Sequence, residues 1–302
     1  MKAIVTGATG FVGSHLVEKL VENGYEVLAI VRDMNKVPQR WGNKIRTLRL
    51  NLDDCNSVGF LDSDCSDSTW FHLGWEATSG IGRSDVEIQL RNVMRTCMAV
   101  KAGEKQGCKR FIYAGSIMEY EAMDYLLSSQ NNPGMGYIYS TAKLCADFMA
   151  KTISANSEIE YTTAVISNIY GPGENTVRFL NSTLKKMINN IPIALTSGEQ
   201  LYDFIYISDA VKKLVFLGEN ARAGDRYYLG NPCPKPLKEY VLEMYRISES
   251  SSALEFGKIP YDGPFLDYSK METDKMEKMG CFNNVPFDEG IQRTIEWMRN
   301  RK

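Results

Sequence analysis

The first candidates for chemistry are Tyr139 and Lys143, in the segment YSTAK. On a helix, positions i and i+4 share a face, so the phenol and the ammonium point into the same space. A tyrosine with its usual pKa of about 10 is a slow acid near neutrality, and a neighbouring ammonium lowers that pKa. The spacing predicts that Tyr139 exchanges a proton and that Lys143 tunes it. Tyr120 and Tyr137 are rivals for the acid, but neither is followed by a lysine four residues later.

A glycine-rich segment at residues 7–13, GATGFVG, lies between an apolar run and a helical pattern. Its glycines permit a tight turn, a close approach to a pyrophosphate, and packing of the helix on the sheet. Free N–H groups at the start of the helix bind phosphate oxygens. The segment therefore predicts a dinucleotide-binding loop, with contacts from Gly7, Thr9, Gly10, Phe11, Val12 and Gly13.

The end of the second predicted strand reads Val31-Arg32-Asp33. NAD-selective sites usually place a carboxylate there, on the ribose 2′-hydroxyl, whereas a guanidinium matches a 2′-phosphate. We therefore expect NADP(H) in preference to NAD(H), with Arg32 on the phosphate and support from Lys36 or Arg40. In the alternative, Arg32 packs over the adenine and Asp33 binds the ribose.

Gly115-Ser116 follows the fifth predicted strand, at the carboxyl edge where ligands bind in open α/β sheets. Ser116 is expected to hydrogen-bond a substrate carbonyl oxygen alongside Tyr139. The alternative is an ordinary turn-forming serine.

Short apolar runs alternate with helical patterns, which indicates βαβ units and a parallel sheet. We predict an α/β fold, a Rossmann-type doubly wound parallel sheet with a smaller C-terminal α/β substrate domain. The dinucleotide domain is expected to cover 1–168 and about 198–222, and the substrate domain 169–197 and 223–302. A surface loop is predicted at Ser128–Gly134. Strands are predicted at Lys2–Thr6, Glu26–Val31, Arg46–Asn51, Thr69–Leu73, Arg110–Ala114 and Thr162–Ile166, and helices at Ser14–Asn23, Asp85–Lys105, Tyr139–Ser154, Phe179–Asn189, Leu237–Ile247 and Asp288–Asn300.

The composition argues against several classes of protein. A net charge of −2 over 302 residues, with no basic stripe, argues against nucleic-acid binding. No apolar run has the length of a signal peptide or a membrane span, so we expect no membrane association and a cytoplasmic location. Seven scattered cysteines, none at CxxC spacing, indicate reduced thiols. The two histidines, His15 and His72, cannot form a zinc site without a cysteine cluster, so no metal is expected.

Six segments, in this order along the chain, carry a family resemblance: TGATGFVG, FHLGW, FIYAGSIMEY, YSTAK, SNIYGPGE and YDFIYISDA. The chain resembles the extended short-chain dehydrogenase/reductases of the nucleotide-sugar epimerase/dehydratase group over essentially its whole length. The resemblance implies that Ser116, Tyr139 and Lys143 form a catalytic triad and that Lys143 also holds the nicotinamide ribose. It further implies Asn51 and Leu52 near the adenine, Leu73 and Gly74 along the cofactor, Asn92 as a supporting helix residue, and Asn168 on the sugar nucleotide.

Two departures from the family pattern bear on the reaction. The 4,6-dehydratases carry an Asp-Glu pair after the serine or threonine, but here Ile117 and Met118 occupy those positions. Glu119 comes one place later, which on an extended segment points to the opposite face, so dehydration is disfavoured. The family's RDF segment is YDF at residues 202–204, and Arg178 or Lys185 is expected to replace the missing arginine.

The segments FHLGWEATSGIGRSD and GSIMEYE resemble bacterial reductases of nucleotide-linked 4-keto-6-deoxyhexoses, the CDP-abequose synthase-like group. That resemblance places Trp75, Thr78 and Ser79 at the sugar, although Trp75 suits the core equally well.

The favoured hypothesis is NADPH-dependent reduction of the C4 ketone of such a sugar. The alternatives are a 4-epimerase with tightly bound NAD⁺, a non-catalytic NADP-binding regulator, and a reductase of non-sugar carbonyls. The long helices at 85–105 and 139–154 match the four-helix face through which the family forms homodimers.

Overall fold

A computed structural model describes residues 1–54, 65–127, 133–261, 263 and 265–300. The strands are β1 (Lys2–Thr6), β2 (Glu26–Val31), β3 (Arg46–Arg49), β4 (Thr69–His72), β5 (Arg110–Ser116), β6 (Glu160–Ile166), β7 (Asn168–Tyr170), β8 (Ile193–Ala194), β9 (Leu201–Tyr202), β10 (Phe204–Tyr206), β11 (Arg226–Leu229), β12 (Lys235–Pro236) and β13 (Leu254–Glu255). The helices are α1 (Phe11–Glu22), α2 (Val86–Lys105), α3 (Met118–Leu127), α4 (Tyr137–Ala155), α5 (Phe179–Ile188), α6 (Ile207–Asn220), α7 (Leu237–Ser248), α8 (Lys275–Lys278) and α9 (Phe287–Arg299).

Seven strands form one sheet in the order β11-β6-β5-β4-β1-β2-β3. The pairs from β3 to β6 are parallel, and Ile4 of β1 lies between Leu28 of β2 and Trp70 of β4. Strand order reverses beside β1, which is the point where open α/β sheets bind ligands at their carboxyl edge. The predicted Rossmann-type fold is confirmed.

The chain divides into two compact units. The first comprises Met1–Ile166 and Val211–Tyr227, and the second Ser167–Ala210 and Tyr228–Lys302. In the first unit, apolar residues of α2 and α4 pack with Trp70, Phe111 and Tyr161 of the sheet into a dry core. Within the second unit, β7 pairs with β10, β9 with β12 and β8 with β13.

The predicted strands are all present, and the element bounds differ at functionally relevant points. Helix α1 begins at Phe11, three residues earlier than predicted, because Gly10 serves as its N-cap. Strand β5 continues through Ser116, and α3 begins at Met118 where an extended segment was expected. Residues 128–132 of the predicted loop Ser128–Gly134 lie outside the described residues. None of the helices in the described ranges is long and apolar enough to cross a membrane.

Candidate active site

The turn between β1 and α1 is built from glycines that no other residue can replace. Gly7 has φ of 70°, and a Cβ atom there would lie 2.6 Å from the carbonyl carbon of Leu73. A Cβ atom on Gly13 would collide with the carbonyl oxygen of Gly7. The Gly10 N–H donates to the Gly7 carbonyl at 3.0 Å, which closes the turn. The turn therefore packs directly on the backbone that follows β4.

This turn fits a pyrophosphate. No described side chain caps α1 at Gly10, so the first N–H groups of the helix, at Phe11, Val12 and Gly13, face outward along the axis. Thr9 lies half-buried in the same turn. The donor set is thus the one that the phosphates of a dinucleotide require.

Tyr139 and Lys143 lie on one face of α4 and are both buried, with exposed fractions of 6% and 5%. The Lys143 ammonium donates to the Ala114 carbonyl of β5 at 2.9 Å. The Tyr113 hydroxyl in turn donates to the Lys143 carbonyl at 3.2 Å. These two bonds hold α4 against β5 close to Ser116, the last residue of that strand. The contact between one helix and one strand thus positions Tyr139, Lys143 and Ser116.

Trp75 and Arg83, both from the segment between β4 and α2, surround Tyr139. The Trp75 ring lies edge-on to Tyr139 at 6.1 Å, and the Lys143 ammonium lies 3.8 Å from the centre of the indole. The Arg83 guanidinium lies 4.5 Å above the Tyr139 ring. The buried Gln89 braces this segment by accepting from the Trp75 indole at 2.9 Å and donating to the Gly82 carbonyl at 3.0 Å.

Trp75 thus touches both the core and the candidate site, because its other side packs on the core cluster. Thr78 and Ser79 lie half-buried on the same segment. Sequence reasoning missed Arg83, although it lies in the quoted segment FHLGWEATSGIGRSD.

The structure corrects the expected position of Glu119. Glu119 lies in the first turn of α3 rather than on an extended segment, so the argument that it faces away from Ser116 is wrong. Its carboxylate accepts the backbone N–H of Ser116 at 2.8 Å. The Ser116 hydroxyl accepts the N–H of Met118 at 3.2 Å, as in a turn-forming serine. Glu119 therefore holds the backbone of the residue that carries the candidate hydroxyl.

Glu119 belongs to a group of charges that we call the Glu119 network, in which the half-buried Arg226 joins two buried carboxylates, Glu119 and Asp147. Arg226 donates to Glu119 at 2.6 Å and also pairs with Asp147. Asp147 accepts the hydroxyls of Tyr161 at 2.8 Å and Thr163 at 2.5 Å. Burial, together with the nearby Asp147 charge, raises the pKa of Glu119 to about 7.

A second group of charges, which we call the arginine corner, comprises Arg32, Asp53, Glu76 and Arg95. Arg95 donates to Asp53 through two bonds of 2.6 and 2.7 Å and to Glu76 at 2.9 Å. Arg32 donates to the same Glu76 oxygen at 3.1 Å. Hydrogen bonding to Arg95 lowers the pKa of both carboxyls, so they are charged at neutral pH. Arg32 thus has a carboxylate partner that the sequence did not indicate.

The other side chains considered for the ribose are engaged locally. Asp33 caps the following turn by accepting the Asn35 N–H at 3.0 Å. Arg40 pairs with Glu18 of α1 at 2.5 Å, and the Trp41 indole donates to that same carboxylate at 3.1 Å. Lys36 ends the short turn of residues 34–36 and is exposed.

The remaining cofactor candidates of the first unit follow β3 and β4, except for Asn92, which lies on α2. The Leu73 N–H donates to the Thr6 carbonyl at 3.1 Å, and a Cβ atom on Gly74 would lie 2.7 Å from Leu52. Asn51 is exposed beside Leu52. The buried Asn92 side chain binds both backbone groups of Glu76, at 3.0 and 2.9 Å, and so supports the segment after β4.

The predicted substrate residues Asn168 and Arg178 lie in the second unit. Asn168 donates to the Asp203 carbonyl at 3.1 Å. Arg178 is the N-cap of α5 and lines a small cavity with Glu174 and Asn181, while Lys185 is exposed on the same helix. Asp203 is buried and accepts the Tyr228 hydroxyl at 2.7 Å, so it organises this unit internally.

His72 is a structural residue. Its ring binds Thr6 at 2.9 Å and Thr96 at 3.2 Å, and burial lowers its pKa to about 3, so it stays neutral. Among the residues that the structure describes, no group of three or more histidine, cysteine or acidic side chains is arranged to hold a metal ion.

Comparison with known proteins found relatives in both sequence and structure. A model of the NAD dependent epimerase/dehydratase family matches residues 3–230. CDP-abequose synthase of Salmonella typhimurium is 24% identical over 312 residues, which cover 97% of each protein. UDP-glucuronic acid decarboxylase 1 of Arabidopsis thaliana is 26% identical over 315 residues, or 100% of this chain and 70% of the relative. The solved structure of a Bacillus cereus UDP-glucuronic acid 4-epimerase with UDP-glucuronic acid and NAD matches with a TM-score of 0.78, at 20% identity and 100% coverage of both chains.

Proposed function

The chain belongs to the NAD dependent epimerase/dehydratase family and is an NAD(P)-dependent enzyme of the extended short-chain dehydrogenase/reductase type, and on that premise we propose its reaction. The proposed reaction is NADPH-dependent reduction of the 4-keto group of a nucleotide-linked 6-deoxyhexose. The observation that carries it is the buried pair of Tyr139 and Lys143 on α4, with Lys143 bonded to the strand that ends in Ser116.

Each residue of the proposed triad has a distinct task. Bound NADPH supplies the hydride. Tyr139 donates its phenolic proton to the carbonyl oxygen as the alcohol forms, and Ser116 donates a hydrogen bond to the same oxygen. The Lys143 ammonium stabilises the phenolate that remains, since it lies one helical turn away on the same face.

The residues after Ser116 argue for reduction over dehydration. Water elimination needs an acid and a base beside the sugar, and Ile117 and Met118 have neither group. Glu119 is engaged by the Ser116 backbone and by Arg226 instead. Likeness to CDP-abequose synthase over nearly the whole chain supports the same choice.

For the substrate we propose one set of residues for the sugar and another for the nucleotide. We assign the sugar to Trp75, Thr78 and Ser79, because they share one segment and the Trp75 ring of that segment lies beside Tyr139. Asn168 and Arg178 are assigned to the nucleotide, from the family resemblance and the basic character of Arg178.

For the cofactor, the family is NAD-dependent, and we propose the finer preference for NADP(H). Arg32 supports it, since its side chain is 58% exposed directly after β2, where a 2′-phosphate would lie.

We also propose a homodimer formed through α2 and α4. Val86, Leu90 and Met94 recur every fourth residue on α2 and are 52–64% exposed, and Phe148 of α4 is 71% exposed. An apolar stripe of this kind on two neighbouring helices is typical of an interface.

The second candidate is a nucleotide-sugar 4-epimerase. The observation that favours it is the structural match to a UDP-glucuronic acid 4-epimerase that holds NAD. Such an enzyme oxidises and re-reduces C4, so it keeps its cofactor and shows no net turnover of it.

The test is an assay of the purified protein with NADPH and a CDP- or dTDP-linked 4-keto-6-deoxyhexose. A reductase consumes NADPH in proportion to product, and proton NMR of the product shows a new C4–H. One tightly bound NAD⁺ per chain, with interconversion of UDP-sugars and no net cofactor oxidation, would replace the proposal with the epimerase.

A further inference from the structure

The arginine corner contains a carboxylate at a place where it affects cofactor choice. Glu76 follows β4 and Arg32 follows β2, and the Glu76 carboxylate lies 3.1 Å from the Arg32 guanidinium. Arg32 is the group proposed to bind the 2′-phosphate. Any phosphate that binds Arg32 must therefore share the guanidinium with the Glu76 carboxylate or separate the two side chains.

Glu76 is held firmly in this position. Asn92 binds its backbone N–H and carbonyl, and Arg95 binds its side chain at 2.9 Å. Arg95 is itself fixed by its two bonds to Asp53, and its side chain is only 7% exposed. The carboxylate therefore cannot swing away without leaving a buried guanidinium partly unpaired.

Arg32 is the mobile partner of the pair. Its side chain is 58% exposed, and Glu76 is its only ion-pair partner among the described residues. Rotation of such a side chain toward solvent is easy, because an exposed ion pair contributes little. Arg32 can thus exchange Glu76 for a ligand, whereas Arg95 cannot.

We propose that Glu76 is a specificity-determining residue, which competes with the cofactor 2′-phosphate for Arg32 and so restrains the preference for NADP(H) over NAD(H). NAD(H) carries no 2′-phosphate and leaves the Arg32–Glu76 pair intact. Bound NADP(H) would gain a bond to Arg32, but its 2′-phosphate, a dianion, would lie next to the fixed Glu76 carboxylate. Like charges at that distance repel each other. This inference rests on the proposed role of Arg32 but not on the proposed reaction.

The experiment measures binding of NADP⁺ and NAD⁺ by isothermal titration calorimetry, with no sugar nucleotide present. Glu76→Gln keeps the size and the hydrogen-bonding oxygen toward Arg95 and removes the charge. It is expected to increase the ratio of the NAD⁺ Kd to the NADP⁺ Kd by about five- to twentyfold, mainly through tighter NADP⁺ binding. Glu87→Gln, an exposed position on α2, makes the same change in net charge and is expected to leave the ratio within about twofold.

A double variant tests whether Glu76 acts through Arg32. In an Arg32→Ala background, Glu76→Gln is expected to lose most of its effect on the ratio. An unchanged ratio in Glu76→Gln, an equal change in Glu87→Gln, or an undiminished effect without Arg32 would each overturn the proposal. The result is independent of the reductase assay, because the shift is measured as a ratio whichever cofactor the parent protein prefers.

Discussion

The arginine corner and the Glu119 network both pair arginine with carboxylates in the first unit, but they differ in their access to water. In the corner, the Arg32 side chain is 58% exposed and Glu76 34%. In the network, Glu119 is 0% exposed and Asp147 3%. The exposed Arg32 can change partners, whereas a movement of Arg226 would leave two buried carboxylates without a counter-charge. The first arrangement therefore suits ligand binding, and the second suits holding Ser116 in place.

The largest effect we expect separates catalysis from cofactor binding. Tyr139→Phe removes only the proton donor, so turnover should fall by about 10²–10⁴-fold. The Kd for NADPH should stay within about twofold, because the aromatic ring remains. Steady-state kinetics and calorimetry measure the two quantities.

Tyr137→Phe is the matched control for Tyr139→Phe. Near-normal turnover in Tyr139→Phe together with loss of activity in Tyr137→Phe would show that the site has been assigned to the wrong tyrosine.

Breaking the Glu119 network should reduce stability strongly. Arg226→Met leaves Glu119 and Asp147 buried without their counter-charge, which is expected to lower the free energy of unfolding by about 3–5 kcal/mol. Lys19→Met, which removes an exposed pair with Glu22, should change it by less than about 1 kcal/mol. Urea denaturation at neutral pH measures both, and equal losses would contradict the distinction between buried and exposed pairs.

Glu121 is a half-buried carboxyl of α3 with no ion-pair partner among the described residues, and it allows a test by pH. Burial raises its pKa from its usual value to about 7, while the charge of Arg83 opposes that rise. The folded state thus holds a proton that the unfolded state has released, so stability falls as the pH rises from about 4.5 to 7.

Glu121→Gln cannot ionise, and its stability relative to the parent protein should increase over the same pH range. The gain should reach about 1–3 kcal/mol above pH 7, since one pKa unit corresponds to about 1.4 kcal/mol. Denaturation at pH 5 and pH 8 measures the difference, and Glu87→Gln serves as the exposed control. A gain of the same size at both pH values would argue against a raised pKa.

The smallest expected effect concerns Arg32. Arg32→Ala should weaken NADPH binding by about tenfold or more and leave NADH binding nearly unchanged, because only NADPH loses a charge-assisted hydrogen bond. Parallel fluorescence titrations of the two cofactors measure this. Equal affinities of the parent protein for both would refute the proposed preference.

The parts of the fold that sequence predicted well depend on local pattern. In the sequence, the strands from Lys2–Thr6 to Glu160–Ile166 appear as short apolar runs that alternate with helical patterns. The structure contains each of these strands. The turn at residues 7–13 was predictable from its glycine spacing, and the structure shows that Gly7 and Gly13 are required by contacts with the backbone after β4 and within the turn. The segment at 118–127 was missed, since it has a weak helical pattern and its position depends on Glu119 binding the Ser116 backbone.

The sequence alone determined the Rossmann-type fold, the glycine turn at residues 7–13, and the position of Tyr139 and Lys143 on one face of a helix, because each depends on residues a few positions apart. Only the tertiary structure decided which charges meet. Arg226 reaches Glu119 across 107 positions, and Arg95 reaches Asp53 across 42. Parallel strands bring distant chain segments to one edge of the sheet, and one-dimensional patterns do not specify which side chains face each other there. For that reason the sequence was enough to propose Arg32 as a phosphate ligand, whereas its ion pair with Glu76 was visible only in the structure.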